Sequence, residues 1–205
     1  MCAVASCENL PAPTAPPSGL NGVELRTGDH ICCFYSGADE GDRIMLDYLT
    51  AGVRHGDKCI GLVDSSDPQI MRARVERRQK STAGQLVVRP AAEAYLQQGR
   101  FSRDSMISYL DEAMGAAVGP DGFQLVRAAG EMTWVLPEPP GADEMFAYEA
   151  ALNDFAPRYP QVLLCMYDVQ RFGAGMLVDA IATHPRLLVG GLLVENPWFT
   201  PSGWG

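Results

Sequence analysis

The sequence predicts one α/β domain with three layers, in which helices cover both faces of a mostly parallel sheet. Short apolar runs alternate along the chain with segments whose apolar residues recur at helical spacing. Each run is continuously apolar, which is typical of strands that are buried on both faces of a parallel sheet. The 205 residues, 47% of them hydrophobic and 20% charged, are enough for one core and exclude a fully disordered chain.

Six apolar runs are the candidate strands. The first, His30–Tyr35, is rich in aromatic residues and precedes a turn with two glycines. Gly190 and Gly191 interrupt the last run, which predicts either one bent strand or a hairpin. The runs cover 30–35, 59–63, 85–89, 123–128, 162–167 and 187–194.

The intervening segments carry helix signals. Asp67 followed by Pro68 suits an N-cap and first helical position, Ser102 suits a second N-cap, and Gly56 suits a C-terminal stop. The segment before His184 and Pro185 ends at these two residues because proline disfavours helix in the residue that precedes it. The candidate helices cover 44–55, 68–80, 91–98, 103–117, 142–156 and 174–183.

Composition also sets the domain limits and the environment. Residues 1–22 hold four prolines and one charge, which predicts a disordered tail before a single domain over 23–199, with a short C-terminal tail over 200–205. The net charge of −9 disfavours nucleic acid as a partner. We expect no membrane segment and no secretory signal, hence a cytoplasmic protein whose cysteines are thiols.

The turn over 36–43, S-G-A-D-E-G-D-R, stands where a phosphate-binding loop would stand. Its glycines are one residue too close for that motif, and Asp42 and Arg43 replace the Lys-Ser/Thr pair. Asp39 and Glu40 add negative charge where phosphates would lie. The pattern therefore favours a turn that no longer binds a nucleotide.

Thiol chemistry and a metal centre are the next alternatives. His30 and Cys32 share one face of the first strand, but a buried thiol without a base is inert, so we expect no catalytic residue. The ligand-capable residues are His30, Cys32, Cys59, Cys165 and His184. Buried cysteines need no metal, and the expectation is that there is no cofactor. The open alternative is a metal or haem held by His30, Cys32, Cys59 and His184.

Polar and aromatic residues follow the predicted strands where they end. In parallel sheets, ligands bind beyond the carboxyl ends of strands, so this set is the candidate ligand site, with ordinary loop polarity as the alternative. The basic helix over 71–80 either contacts a partner or is a solvated face. The candidate ligand residues are Tyr35, Asp64, Glu131, Trp134, Tyr167 and Asp168.

The chain resembles the MEDS family, the methanogen/methylotroph DcmR-type sensory domains, over about residues 24–199. No single motif is diagnostic, but the motifs occur in order along the chain. They are D-H-I-C-C-F-Y (29–35), L-D-Y-L-T-A-G (46–52), G-D-K-C (56–59), A-Y-L-Q-Q-G-R-F (94–101), R-A-A-G-E-M-T-W (127–134), Y-E-A-A-L-N (148–153), C-M-Y-D-V-Q-R-F (165–172), T-H-P-R-L-L-V-G-G (183–191) and E-N-P-W-F (195–199).

The resemblance implies a RecA/KaiC-like sheet with a degenerate Walker A turn, and a bacterial regulator that senses a small hydrocarbon-type effector. It also places His30 and Cys32 among the family's signature positions. Family members commonly carry an output module, so here the expected partner is a separate kinase, anti-sigma factor or transcription regulator. A homodimer stays open. The alternative functions are a residual nucleotide-binding or thiol enzyme and a pure protein-interaction adaptor.

Overall fold

The computed structural model describes residues 15–20 and 23–201. Within these residues the chain forms six α-helices and one seven-stranded sheet, which confirms the predicted three-layer α/β class. The strands are β1 (His30–Tyr35), β2 (Lys58–Val63), β3 (Leu86–Pro90), β4 (Val126–Glu131), β5 (Gln161–Asp168), β6 (Arg186–Val189) and β7 (Leu192–Glu195). The helices are α1 (Ala38–His55), α2 (Pro68–Arg78), α3 (Ala91–Tyr95), α4 (Arg103–Val118), α5 (Met145–Phe155) and α6 (Ala174–Thr183).

The strand order is β3-β2-β4-β5-β1-β6-β7, and every pair is parallel except β6 with β7. Strand β1 therefore lies inside the sheet, between β5 and β6. One apolar layer packs α1 and α2 against one face, and a second packs α3, α4, α5 and α6 against the other. Because both faces are covered, the central strands β1 and β5 are buried at nearly every position.

Local sequence accounts for the helix ends. The Asp67 carboxylate accepts the backbone N–H groups of Gln69 and Ile70 at the start of α2, and Ser102 caps α4 in the same way. Gly56 ends α1 in the left-handed conformation, with φ of 96°, which side chains other than glycine adopt at a cost. These caps confirm the helix starts and stops that the sequence indicates.

Helix α1 begins at Ala38, six residues before its predicted start, and two further segments differ from the sequence-based boundaries. Strand β4 begins and ends three residues later than the apolar run 123–128, because Gly130 near its end fits beneath Tyr95. The predicted helix over 91–98 ends at Tyr95, and Gln98 adopts a positive φ. The last apolar run forms a hairpin rather than one bent strand. Gly190 and Gly191, with φ of 58° and 82°, make the turn between β6 and β7.

The described part of the predicted N-terminal tail contacts the domain. Ser18 is buried, and the Pro17 carbonyl accepts a hydrogen bond from Arg127 Nη1 at 2.6 Å. Residues 1–14 and 21–22, and 202–205 of the predicted C-terminal tail, lie outside the described residues. Across 15–20 and 23–201, none of the helices combines the length and the apolar character that crossing a bilayer requires.

Candidate functional site

Four metal-binding types of side chain meet between the sheet and helices α5 and α6. His30 begins β1, Cys165 lies in β5, Glu149 lies in α5, and His184 follows α6. Their ligand atoms all lie within 4.8 Å of one another, and all four residues are buried. We call these four residues the buried cluster.

The Glu149 carboxylate is at the centre of the buried cluster. Its Oε2 lies 3.1 Å from His30 Nε2 and 3.3 Å from His184 Nε2. Cys165 Sγ lies 3.5 Å from His30 Nε2, and the two imidazole rings have centroids 4.1 Å apart. Two imidazoles therefore share one carboxylate oxygen, and the thiol lies beside one of them, in a space without solvent.

In each imidazole, Nδ1 points away from the centre of the cluster and forms a hydrogen bond to an oxygen. Asn153 Nδ2 donates to the Thr183 carbonyl at 2.8 Å, so its Oδ1 faces His30 Nδ1 at 2.9 Å and accepts a hydrogen bond from it. His184 Nδ1 donates to the Ala180 carbonyl at 2.7 Å. In the neutral form, both rings thus carry their proton on Nδ1 and direct the lone pair of Nε2 into the cluster.

The surroundings shift the pKa values of the Glu149 carboxylate and the Cys165 thiol in opposite directions. Burial opposes ionisation of Glu149, but His184 and His30 outweigh it and hold the pKa of Glu149 below its usual range. Burial, followed by the charge of Glu149, raises the pKa of the Cys165 thiol well above its usual value. Burial and the neighbouring His184 lower the pKa of His30. The cluster therefore holds an anionic carboxylate beside a neutral thiol and, at His30, a ring that favours the neutral form.

Only part of the metal set considered from sequence comes together. His30 and His184 do meet, but Cys59 packs on the opposite face of the sheet, where its Sγ contacts the Leu49 carbonyl at 3.7 Å. Cys32 lies on the same face as His30 but is not one of the four residues that converge. The structure therefore does not bring Cys32 and Cys59 together with His30 and His184 as that alternative requires.

Glu149 is the residue that sequence reasoning missed. It lies on the apolar face of α5, four residues after Met145 and three before Leu152, both of which are buried. A carboxylate at such a position needs a charged or hydrogen-bonding partner, and this was the available signal. Tyr167 supplies one partner, since its hydroxyl donates to Glu149 Oε1 at 2.7 Å.

The six candidate ligand residues at the strand ends separate into two groups. Tyr35, Asp64, Glu131 and Asp168 lie at the carboxyl edge of the sheet, where Glu131 accepts the backbone N–H groups of Asp64 and Ser65. Burial, with added charge from Glu131 and Asp168, raises the pKa of Tyr35. These acidic side chains are largely bonded to the chain's own loops.

The other two residues lie in the apolar layer under α4 and α5. Trp134 stacks on Tyr95 with ring centroids 4.7 Å apart, and Tyr167 holds Glu149 as described above. In the same layer, a small apolar cavity of about 20 Å³ lies between the sheet and helices α4 and α5. Its walls include Leu62, Tyr95, Met106, Leu110, Tyr148 and Cys165. Cys165 thus belongs both to this cavity and to the buried cluster.

A larger groove of about 430 Å³ lies at the surface between α1 and the β6–β7 hairpin. It combines apolar contacts from Ile44 and Leu188 with the charged side chains of Glu40, Arg43 and Asp47. The groove is therefore open and polar, whereas the cavity beside Cys165 is apolar.

Two amide groups of the turn before α1 are already bonded to carboxylates of the same chain. The Ser36 N–H donates to Glu40 Oε2 at 2.8 Å, and the Gly37 N–H donates to Asp168 Oδ1 at 3.0 Å. These are two of the donors that would hold an anion at a helix N-terminus. Carboxylates of the same chain occupy them.

The basic residues of α2 contact α1. Arg74 pairs with Asp42 at 2.5 Å, and Arg78 pairs with Asp47 at 2.5 Å. Part of the positive charge over 71–80 is thus neutralised by the adjacent helix, which reduces its availability to an anionic partner.

Comparisons with known proteins point to a sensory family. The family model described as "MEDS: MEthanogen/methylotroph, DcmR Sensory domain" matches residues 29–185. The transcriptional repressor DcmR of Methylorubrum extorquens is 25% identical over 177 residues, which cover 83% of this chain. The matched region spans 63% of the repressor's own length.

Solved structures show the same fold. A KaiC-like protein from Pyrococcus horikoshii OT3 superposes with a TM-score of 0.56 at 10% identity, covering 84% of this chain and 78% of that one. The flagellar accessory protein FlaH from Methanocaldococcus jannaschii gives a TM-score of 0.53 at 8% identity, covering 84% and 77%. These likenesses confirm the RecA/KaiC-like architecture.

Proposed function

Because the chain belongs to the MEDS family of sensory domains, we propose that it is a non-enzymatic sensor which binds a small organic effector in the apolar cavity beside Cys165. A sensory or regulatory role follows from the family and from the likeness to a repressor. The observation that supports an apolar effector is the cavity itself. Its walls are aliphatic, aromatic or thiol groups, so a charged ligand would lose its hydration without gaining partners there.

The size of the cavity limits the effector. A space of about 20 Å³ is close to what a single water molecule needs, whereas engineered cavities of about 150 Å³ bind benzene. Met106 in the wall is a flexible side chain that adapts to irregular contents. We therefore infer an effector of one or two carbon atoms, such as a short alkane, haloalkane or alcohol.

Of the six strand-end residues, Trp134 and Tyr167 support this cavity, and we place the other four outside it. Trp134 stacks on Tyr95, which forms one wall, and Tyr167 orients Glu149 next to Cys165. Tyr35, Asp64, Glu131 and Asp168 organise the loops at the sheet edge. Their expected role is to hold loop shape.

A thermal-shift screen against small haloalkanes, alkanes and alcohols tests the effector. Ligand at 100 times its Kd stabilises the fold by about 2.7 kcal/mol, or a shift of several degrees in a chain of this size. Ala128→Val narrows the cavity and should abolish the shift, while Arg43→Ala in the surface groove should preserve it. Loss of the shift in Arg43→Ala alone would place the effector in the groove. If no compound shifts the melting point, the effector proposal fails and the adaptor function is favoured.

The proposal also concerns the process to which the sensor passes its signal. The relative named above is a transcriptional repressor, which supports transcriptional regulation as the process that the sensor serves. A nucleotide-hydrolysing enzyme is the rival, and the bonded amide groups of Ser36 and Gly37 disfavour it. Equilibrium dialysis with labelled ATP and Mg²⁺ separates the two, because micromolar affinity for ATP would favour the enzyme.

A further inference from the structure

We propose that His30, Glu149, Cys165 and His184 form a closed tetrahedral site for a divalent transition-metal ion, with Zn²⁺ as the preferred ion. The inference rests on the geometry of the buried cluster and is independent of the effector. Its residue types are those that zinc prefers: two imidazoles, a thiol and a carboxylate.

The distances agree with the edges of a tetrahedron. Zinc bonds of about 2.0 Å to nitrogen or oxygen and about 2.3 Å to sulfur put N and O donors roughly 3.3 Å apart, and N and S donors roughly 3.6 Å apart. Glu149 Oε2 lies 3.1 Å from His30 Nε2 and 3.3 Å from His184 Nε2. Cys165 Sγ lies 3.5 Å from His30 Nε2. The donors are therefore already spaced around a common centre.

A second observation is the unsatisfied nitrogen of His184. Its Nε2 is fully buried and finds no hydrogen-bond partner anywhere in 15–20 or 23–201, although Glu149 Oε2 is 3.3 Å away. With the ring neutral, the Nδ1 bond to Ala180 leaves Nε2 as a lone pair directed at a carboxylate. That repulsion is relieved by a proton on Nε2 or by a metal ion bound to both atoms.

The outer hydrogen bonds are those that orient metal ligands. Asn153 fixes His30, the Ala180 carbonyl fixes His184, and Tyr167 occupies the other oxygen of Glu149, so that Oε2 alone faces the centre. Binding releases the thiol proton of Cys165 to solvent. One thiolate, one carboxylate and a divalent ion then sum to zero charge, which suits a site without water. Because all four positions are protein ligands, the ion has no open position for catalysis.

Metal analysis of the full chain tests the site, using protein purified without a metal-affinity tag and dialysed against a weak chelator. We expect one zinc per chain by elemental analysis. Cys165→Ala should retain less than a tenth of that zinc, while Cys59→Ala on the opposite face and Cys32→Ala on the neighbouring strand should retain all of it. Cys32 is the close control, because it pairs in register with Cys165.

Cobalt supplies a readout that does not depend on stability. Co²⁺-loaded wild type should show thiolate-to-metal charge transfer and intense tetrahedral d–d absorption, both lost in Cys165→Ala. Tyr167→Phe and Asn153→Ala, which remove positioning residues, should weaken zinc binding by about 10- to 100-fold. Far-UV circular dichroism and melting identify a variant that fails to fold. Substoichiometric zinc in wild type, equal zinc in Cys165→Ala, or loss in Cys32→Ala alone would each overturn the assignment.

Discussion

Arg127 is the largest fully buried side chain in the described part of the protein. Its Nε donates to Asp57 Oδ2 at 2.5 Å, Nη1 donates to the Pro17 carbonyl, and the guanidinium lies over the Tyr48 ring. The pair holds β4 to the end of α1 and to the N-terminal segment. Burying two charges is costly, and the hydrogen bonds offset that cost only while both partners are present.

Arg127→Met should therefore destabilise the fold by about 3–5 kcal/mol, because the buried Asp57 carboxylate loses its arginine partner and keeps only the half-exposed His55. Urea denaturation measures the change. The double variant Arg127→Met/Asp57→Asn should recover part of the loss, since the remaining group is neutral. Arg26→Ala, which removes an exposed ion pair with Glu195, should change stability little. A double variant no more stable than the single one would contradict this account.

Single residues also show what the sequence could and could not predict of the site. His30 and His184 were recognisable as ligand types, but no local pattern indicates that residues at opposite ends of the domain meet. Glu149 was hidden in an ordinary apolar helix stripe, and its contact with His30 spans 119 positions. Side-chain convergence of this kind depends on strand order, which periodicity does not supply.

Among the elements, β4 is the strand whose residues have the lowest intrinsic preference for strand structure. Its sequence Val-Arg-Ala-Ala-Gly-Glu has few strand-forming residues, yet it lies between β2 and β5. The helix and strand types of the longer segments followed from apolar spacing and caps. The end of β4 did not, because packing beneath Tyr95 decides it.

Gly130→Ala tests this packing, since the added Cβ would overlap the Tyr95 hydroxyl. We expect a loss of about 1–3 kcal/mol of unfolding free energy, the usual range for overpacking in a core. In a Tyr95→Phe background the same change should cost much less, because the hydroxyl is gone. Chemical denaturation of the four proteins gives the coupling energy. Equal costs in both backgrounds would show that Tyr95 is not the constraint.

The β6–β7 hairpin depends on its two glycines. Gly190 has φ of 58°, a conformation that asparagine tolerates and β-branched residues do not. Gly190→Val should lower the melting temperature by several degrees, and Gly190→Asn should leave it nearly unchanged. Differential scanning calorimetry distinguishes the two. A similar drop for both variants would mean that the space at the turn, rather than its backbone angle, is limiting.

At the scale of the whole molecule, helices cover both faces of the sheet, and the burial of the cysteine thiols shows that solvent is excluded there. Cys32, Cys33, Cys59 and Cys165 are free and buried. Burial is the main cause that raises the pKa of Cys33 and of Cys59, each to about 12, so few thiolates form at neutral pH. Reaction with a thiol reagent therefore requires the domain to open.

In a Cys2→Ser/Cys7→Ser background with chelator present, native protein should show no rapidly reacting thiol. Four thiols should react in guanidinium, as measured with a chromogenic disulfide reagent. The slow native rate should follow global unfolding, and so rise in Arg127→Met. One thiol that reacts in native protein at the rate of free cysteine would indicate local opening of one layer.

The order in which the buried cluster's members occur along the chain has a consequence for biosynthesis. His30 lies in the first strand and His184 follows the last helix, while Cys165 and Glu149 lie between them. A ribosome delivers these residues one after another, and N-terminal parts begin to fold before the rest exists. No nascent or prematurely terminated chain that stops before His184 holds all four side chains. An intact cluster therefore marks a chain that has been translated at least as far as His184 and has folded around it.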